Sequence, residues 1–177
     1  IPTGKKVFDW EVPNEWNIKE AYIEDENKKR IIDFNNSNLH VLGYSCPIDK
    51  WIDFNELDKH LYSIKDQPDV IPYVTSYYKE RWGFCLSHND RLKLENKKYH
   101  VVIKSELTPG VMNYGEIIIP GNSKKEVLMS TYICHPSLAN NETSGPIVTI
   151  ALAKEIRNLK ERNFTYRIIL IPETIGA

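Results

Sequence analysis

His135, Glu142 and Glu173 are the residues of this sequence whose types and spacing could do chemistry together. His135 follows a mostly apolar run over residues 126–133, and Glu173 follows a second run over 166–171 and Pro172. Each therefore stands where a buried strand should end. In a parallel sheet the ligand crevice lies beyond the carboxyl ends of the strands, so the imidazole and the carboxylate are expected to face one cleft. Glu142 lies in the polar stretch between them, shortly before Ser144-Gly145. Imidazole and carboxylates that converge in this way suit a divalent cation. A catalytic zinc needs three protein ligands and an open position for a water that the metal acidifies. Each residue also has a structural explanation. A histidine at a strand end commonly serves as a hydrogen-bonding residue, and a glutamate near a helix N-terminus favours the dipole. An ionised Glu173 beside a buried strand needs a partner.

The elements that must position these residues are a strand, a helix and a strand. Residues 126–133 read as a strand covered on both faces. Pro146 suits the first helical position, where its missing N–H costs nothing. Val148, Leu152, Ile156 and Leu159 then mark one expected face, and Arg157, Lys160 and Arg162 place cations near the negative end of the dipole. Residues 166–171 form the second strand, and two strands joined by a helix are almost always parallel and right-handed.

Upstream, residues 1 to about 120 are strand-rich, with short apolar runs between turn signals. Strands are expected over 6–10, 30–34, 39–44, 99–103 and 114–119. Residues 53–64 carry Phe54, Leu57, Leu61 and Ile64 at helical spacing, with Asp53 as N-cap and Glu56 as its capping-box partner. A turn cluster over 120–123 marks the change to the α/β segment. Tyr77, Tyr78 and Trp82 sit in a stretch crowded with rings, where they either pack as core or line a substrate pocket. Trp10 and Trp16 pose the same question.

Composition narrows the function class. Of 177 residues, 41% are hydrophobic and 27% charged, as in an ordinary globular protein. A net charge of -1 gives no basic surplus for nucleic acid, and Lys28-Lys29-Arg30 and Lys124-Lys125 read as solvated turns. Cys46, Cys85 and Cys134 are odd in number and widely spaced, which favours a reducing compartment. No run approaches the roughly 18 apolar residues of a membrane span. A cytoplasmic location without membrane or nucleic-acid partners is the expectation. The sequons at Asn35, Asn141 and Asn163 matter only in a secreted eukaryotic protein. The absent initial methionine and the stop after Gly176-Ala177 are those expected of an excerpt from a longer protein.

Residues 134–145, Cys-His-Pro-Ser-Leu-Ala-Asn-Asn-Glu-Thr-Ser-Gly, followed by a helix and Ile-Pro-Glu-Thr-Ile-Gly, resemble bacterial aminopeptidase-like proteins related to the two-zinc aminopeptidases. Residues 7–13, 72–78 and 82–85 extend the resemblance over essentially the whole chain. Some members of that group are associated with polysaccharide biosynthesis. The resemblance implies an α/β zinc-aminopeptidase-like core, partial here, interrupted by a β-rich inserted domain. The corresponding division is 1–20 for the start of the core, 21–120 for the insert and 121–177 for the α/β part. His135 matches a zinc ligand and Glu173 the general base. Asn141 stands at the place of the aspartate that bridges two zinc ions, Thr174 stands at the place of a second glutamate, and Glu142 could substitute as ligand. Asparagine is neutral and threonine a poor ligand at neutral pH, so one or two zinc ions would meet an incomplete site, with further ligands expected beyond Ala177. The implied activity is hydrolysis of a peptide or aminoacyl substrate, with a binding module that has lost catalysis as the alternative. A cysteine hydrolase using Cys134 and His135 is disfavoured, because adjacent strand residues point to opposite faces.

Overall fold

The computed structural model describes residues 1–7, 9–133 and 139–172. The chain mixes sheet and helix and divides into two compact units, one of Pro13–Gly110 and one of two flanking segments, Ile1–Val12 and Val111–Ala177.

Pro13–Gly110 is built on a four-stranded antiparallel sheet. Its strands are β3 (Glu15–Glu24), β4 (Arg30–Asp33), β5 (Ile48–Asp53) and β8 (Lys98–Thr108), in the order β4-β3-β8-β5. The expected strands near 30–34 and 99–103 are present, whereas β3 and β5 were not among those expected. The signal in β3 is alternation with one interruption. Trp16 and Ile18 face the core, then Ala21 and Ile23 do, and the pairing register with β8 shifts between Ile18 and Glu20. A bulge at that point absorbs the odd residue and keeps both apolar pairs on one face. Ala21, Ile23, Leu57, Phe84, Leu86, Tyr99, Val101 and Ile103 form the buried centre.

The helix expected over 53–64 is much shorter. Helix α1 (Phe54–Asp58) has the expected cap, the Glu56 N–H donating to Asp53 Oδ1 at 2.9 Å. The Glu56 carboxylate does not complete a capping box. It accepts instead from Lys59 Nζ at 2.8 Å. Leu61–Tyr62 leave the helix as strand β6, parallel to β7 (Phe84–Cys85), because pairing with that buried segment outweighs helical spacing. Residues 39–44 are not a strand either. They pass from a 3-10 turn (Asn38–His40) through isolated bridges into a tight turn. A second short helix, α2 (His88–Arg91), is capped by Ser87.

In the other unit, the residues of the expected 6–10 strand form a small hairpin, β1 (Lys6–Val7) with β2 (Trp10–Glu11). Strands β9 (Gly115–Ile119), β10 (Glu126–Tyr132) and β11 (Thr165–Ile171) form a sheet in the order β10-β11-β9. As expected, β10 and β11 are parallel; β9 is antiparallel to β11. Arg167 in the central strand is clamped by Glu126 of β10 and Glu116 of β9, which hold its guanidinium firmly charged.

Helix α3 (Asn140–Asn158) starts six residues before the expected Pro146, which lies inside it. Pro146 therefore brings no N–H to the ladder. Thr143 and Ser144 hydroxyls donate back to the Ala139 and Asn140 carbonyls at 2.8 Å, tightening the first turn. The helix is also rotated from the expected orientation. Thr149, Ala153 and Ile156 face the sheet, while Val148, Leu152 and Leu159 are exposed. Gly145 faces β10: a Cβ there would run into Thr131 Oγ1, so the small residue lets α3 lie close on that strand. Among the described residues, no helix is long and apolar enough to cross a membrane.

Candidate functional site

The parallel pair β10 and β11 ends in register, Tyr132 opposite Ile171, and the Ile133 N–H donates to the Ile171 carbonyl at 3.1 Å. His135 follows Tyr132 by three residues and Glu173 follows Ile171 by two. Both lie outside the described residues, as does Thr174. The start of α3 reaches the same strand end, since Asn141 Nδ2 donates to the Tyr132 hydroxyl at 3.0 Å. Asn141 is exposed, and Glu142 is half-buried in the first turn of α3. Three chain segments thus converge on the carboxyl edge of a parallel pair, the place where α/β sheets put their ligands.

The described residues do not by themselves make a zinc site. No group of three His, Cys, Asp or Glu side chains among them could hold a metal ion. The Asn141 amide nitrogen is engaged with a phenol, leaving only a neutral oxygen to offer a cation.

The three aromatic candidates separate. Trp82 stacks on His60, with ring centroids 3.7 Å apart and planes 13° off parallel, and it packs against the core. Its carbonyl also contacts His60 Nδ1 at 3.1 Å. Tyr77 and Tyr78 instead line a cavity of about 340 Å³ with Asn14, Tyr44, Ser76, Lys79, Glu80 and Leu107. Tyr44, absent from the sequence candidates, is the ring that organises it. Tyr44 stacks on Trp16 at 5.9 Å and meets Tyr77 edge-on at 4.7 Å. Its φ of 66° is unusual for a bulky side chain. The glycine ahead of it and the serine after it mark this as a turn, which is the signal that could have found it.

A titratable cluster centred on a histidine is on the open face of the four-stranded sheet. His100 contacts Glu24 Oε1 through Nδ1 and Asp49 Oδ1 through Nε2, both at 2.8 Å, and stacks on Trp51. Burial opposes its charge, but the two carboxylates prevail and its pKa is raised. Cys85 is buried, which pushes its thiol up to about 12 and leaves it no role as a nucleophile.

Residues 15–106 match a family model described as a domain of unknown function, DUF2172. A Clostridium acetobutylicum protein provisionally named a polysaccharide biosynthesis protein with an aminopeptidase-like domain is 45% identical over all 177 residues. A crystal structure from the same organism at 2.37 Å, provisionally described as a peptidase, superposes with a TM-score of 0.92 at 45% identity, over 99% of this chain. The chain spans 41% of the first relative and 42% of the second, about two fifths of each. The resemblance to aminopeptidase-like proteins associated with polysaccharide biosynthesis is thereby borne out.

Proposed function

We propose that this chain, which belongs to the DUF2172 family, is part of a zinc-dependent aminopeptidase-like hydrolase acting on a peptide or aminoacyl substrate in the cytoplasm. The observation that carries the reading is the in-register end of β10 and β11, with His135 and Glu173 following within three residues and α3 tied to the same edge through Asn141. The 45% identity to a protein named for an aminopeptidase-like domain supports it. In this reading β10, α3 and β11 belong to a zinc-aminopeptidase-like core, and Pro13–Gly110 is a domain inserted into it.

His135 would hold the metal, with Glu142 or the Asn141 oxygen as further ligands from α3. Bound zinc would polarise a substrate carbonyl and acidify a water. Glu173 would take the proton from the attacking water and return it to the leaving amine, the work of a general base and then acid. The Tyr132 hydroxyl fixes the Asn141 amide, so its oxygen is oriented by a bond already made.

A second reading has its own observation. At the place that resemblance gives to a bridging carboxylate, a neutral amide hydrogen-bonds to a phenol, as in a module that binds without catalysis. Metal analysis of the full-length protein, with hydrolysis of unblocked aminoacyl anilides by wild type and Glu173→Gln, separates the two. The hydrolase reading expects stoichiometric zinc and a loss of about 100-fold or more in turnover for Glu173→Gln. Substoichiometric metal and no Glu173-dependent turnover would leave the binding module.

A further inference from the structure

The tyrosine-lined cavity of Pro13–Gly110 has a chemistry of its own. It is assembled from three places: the start of β3 and the end of β8 (Asn14, Leu107), the turn carrying Tyr44, and residues 76–80. Each part is braced. The turn is closed by the Ser45 N–H to the Leu42 carbonyl at 3.1 Å and by Ser45 Oγ to the same carbonyl at 2.6 Å. The Trp16 indole N–H donates to the Ser45 carbonyl at 3.0 Å and holds its ring behind Tyr44. Arg81 Nε donates to Ser76 Oγ at 2.9 Å, and that hydroxyl donates to the Lys79 carbonyl at 2.7 Å, folding residues 76–79 into a fixed loop.

These bonds over-determine a Tyr44 backbone that a bulky residue ordinarily avoids. Such strain persists only where the surroundings impose it, and it concentrates at binding and active sites. Here it presents the Tyr44 ring at 64° to Tyr77, with Tyr77 at 58° to Tyr78, so the rings form angled walls.

The lining selects among ligand classes. Among the described lining residues the charged ones are Lys79 and Glu80, and the Glu15 charge also acts on Tyr44, so there is no cationic surplus for a phosphate. Leu107 is the one aliphatic side chain among the described lining residues, too little for a lipid tail. What remains is a set of ring faces edged by groups that both donate and accept: phenols, an asparagine amide, a lysine and a glutamate. A sugar ring matches that pattern, with C–H faces to lie on aromatic planes and hydroxyls that need donors and acceptors at the rim. Burial first, and then the neighbouring Tyr77, Tyr78 and Glu15, raise the Tyr44 pKa, so the phenol stays neutral. A volume of about 340 Å³ is at the small end of ligand pockets and suits one or two sugar rings.

We infer that the cavity bounded by Tyr44, Tyr77 and Tyr78 is a binding site for a neutral saccharide. The site stands apart from the hydrolase reading, since its described lining residues all belong to Pro13–Gly110 and none is assigned to that chemistry. The test is calorimetric and NMR titration of the chain with glucose, N-acetylglucosamine and cellobiose, beside glucose 6-phosphate and dialanine. The expected result is saturable binding of at least one neutral sugar, weakened by about tenfold or more in Tyr77→Ala and in Tyr78→Ala. Tyr77→Phe keeps the ring and should retain most of the affinity. Trp51→Ala removes an exposed ring that stacks on His100 away from the cavity lining, and should leave binding unchanged. Far-UV dichroism checks that each variant is folded. Absence of saturable binding by all three sugars would overturn the inference, as would sugar binding indifferent to both alanine variants. Tyr77-dependent binding in which dialanine or glucose 6-phosphate exceeds every neutral sugar would overturn it as well.

Discussion

In Pro13–Gly110, Leu57, Phe84, Leu86, Tyr99 and Val101 are fully buried, whereas α3 in the other unit leaves Ile147 65% and Val148 57% exposed. The first unit closes a core between one sheet face and the elements across it. Among the described residues of the second, the buried apolar cluster is Ile119, Ala153 and Ile168, and the helix carries apolar side chains on more than the face that meets the sheet. Apolar residues around a helix are the pattern of an element buried on more than one side. The motif that resembles a hydrolase thus lies in the unit whose apolar surface is less completely covered, while the match to a family of unknown function coincides with the self-contained one.

The largest test of that contrast is Phe84→Ala. Its ring is wholly buried, so the substitution should cost about 3–5 kcal/mol, read as a lower denaturation midpoint for Pro13–Gly110. If a core deletion there moved every probe of the other unit equally, the division into two stability units would fail.

An intermediate effect is expected on the open sheet face. The raised pKa of His100 means that its contribution to stability is complete below its unfolded value of about 6.5 and is lost as pH rises through the higher folded value. The groups facing it are Glu24 on β3, Asp49 and Trp51 on β5, and Tyr22 edge-on. Thermal scans should show the stability of Pro13–Gly110 falling as pH rises above about 6.5, with the slope reduced in His100→Gln. Chemical shifts of the imidazole protons give the folded pKa directly.

The smallest effect belongs to the helix. Leu152, 46% exposed on α3, can be replaced by serine at a cost of about 1 kcal/mol or less, well below that of Phe84→Ala, because nearly half of its surface already meets water. The same substitution should reduce the fluorescence of a hydrophobic dye bound to the chain, since it interrupts an exposed apolar patch. A stability loss comparable to that of Phe84→Ala would show that the helix face is covered after all.

Sequence patterning was informative where one local rule dominates. Asp53 caps α1 as its position indicates, and apolar runs separated by a helix give the parallel pair β10 and β11. It misled where tertiary pairing competes with local preference. Leu61 and Ile64 continue a helical spacing, yet Leu61 and Tyr62 pair with Phe84 and Cys85 instead. Pro146 resembles a helix start, yet the helix begins at Asn140, its first turn tightened by Thr143 and Ser144.

The candidate sites divide in the same way. The sequence by itself determined the order His, Asn-Glu and Glu around one strand, helix, strand unit, because chemistry at strand ends follows from the order of elements in a parallel sheet. Which aromatic rings share a cavity was decided only in three dimensions. Trp82 and Tyr78 are four residues apart, but Trp82 stacks on His60 while Tyr78 joins Tyr44 from a distant turn. Ring partners depend on contacts between segments far apart in the chain, and no local period encodes those.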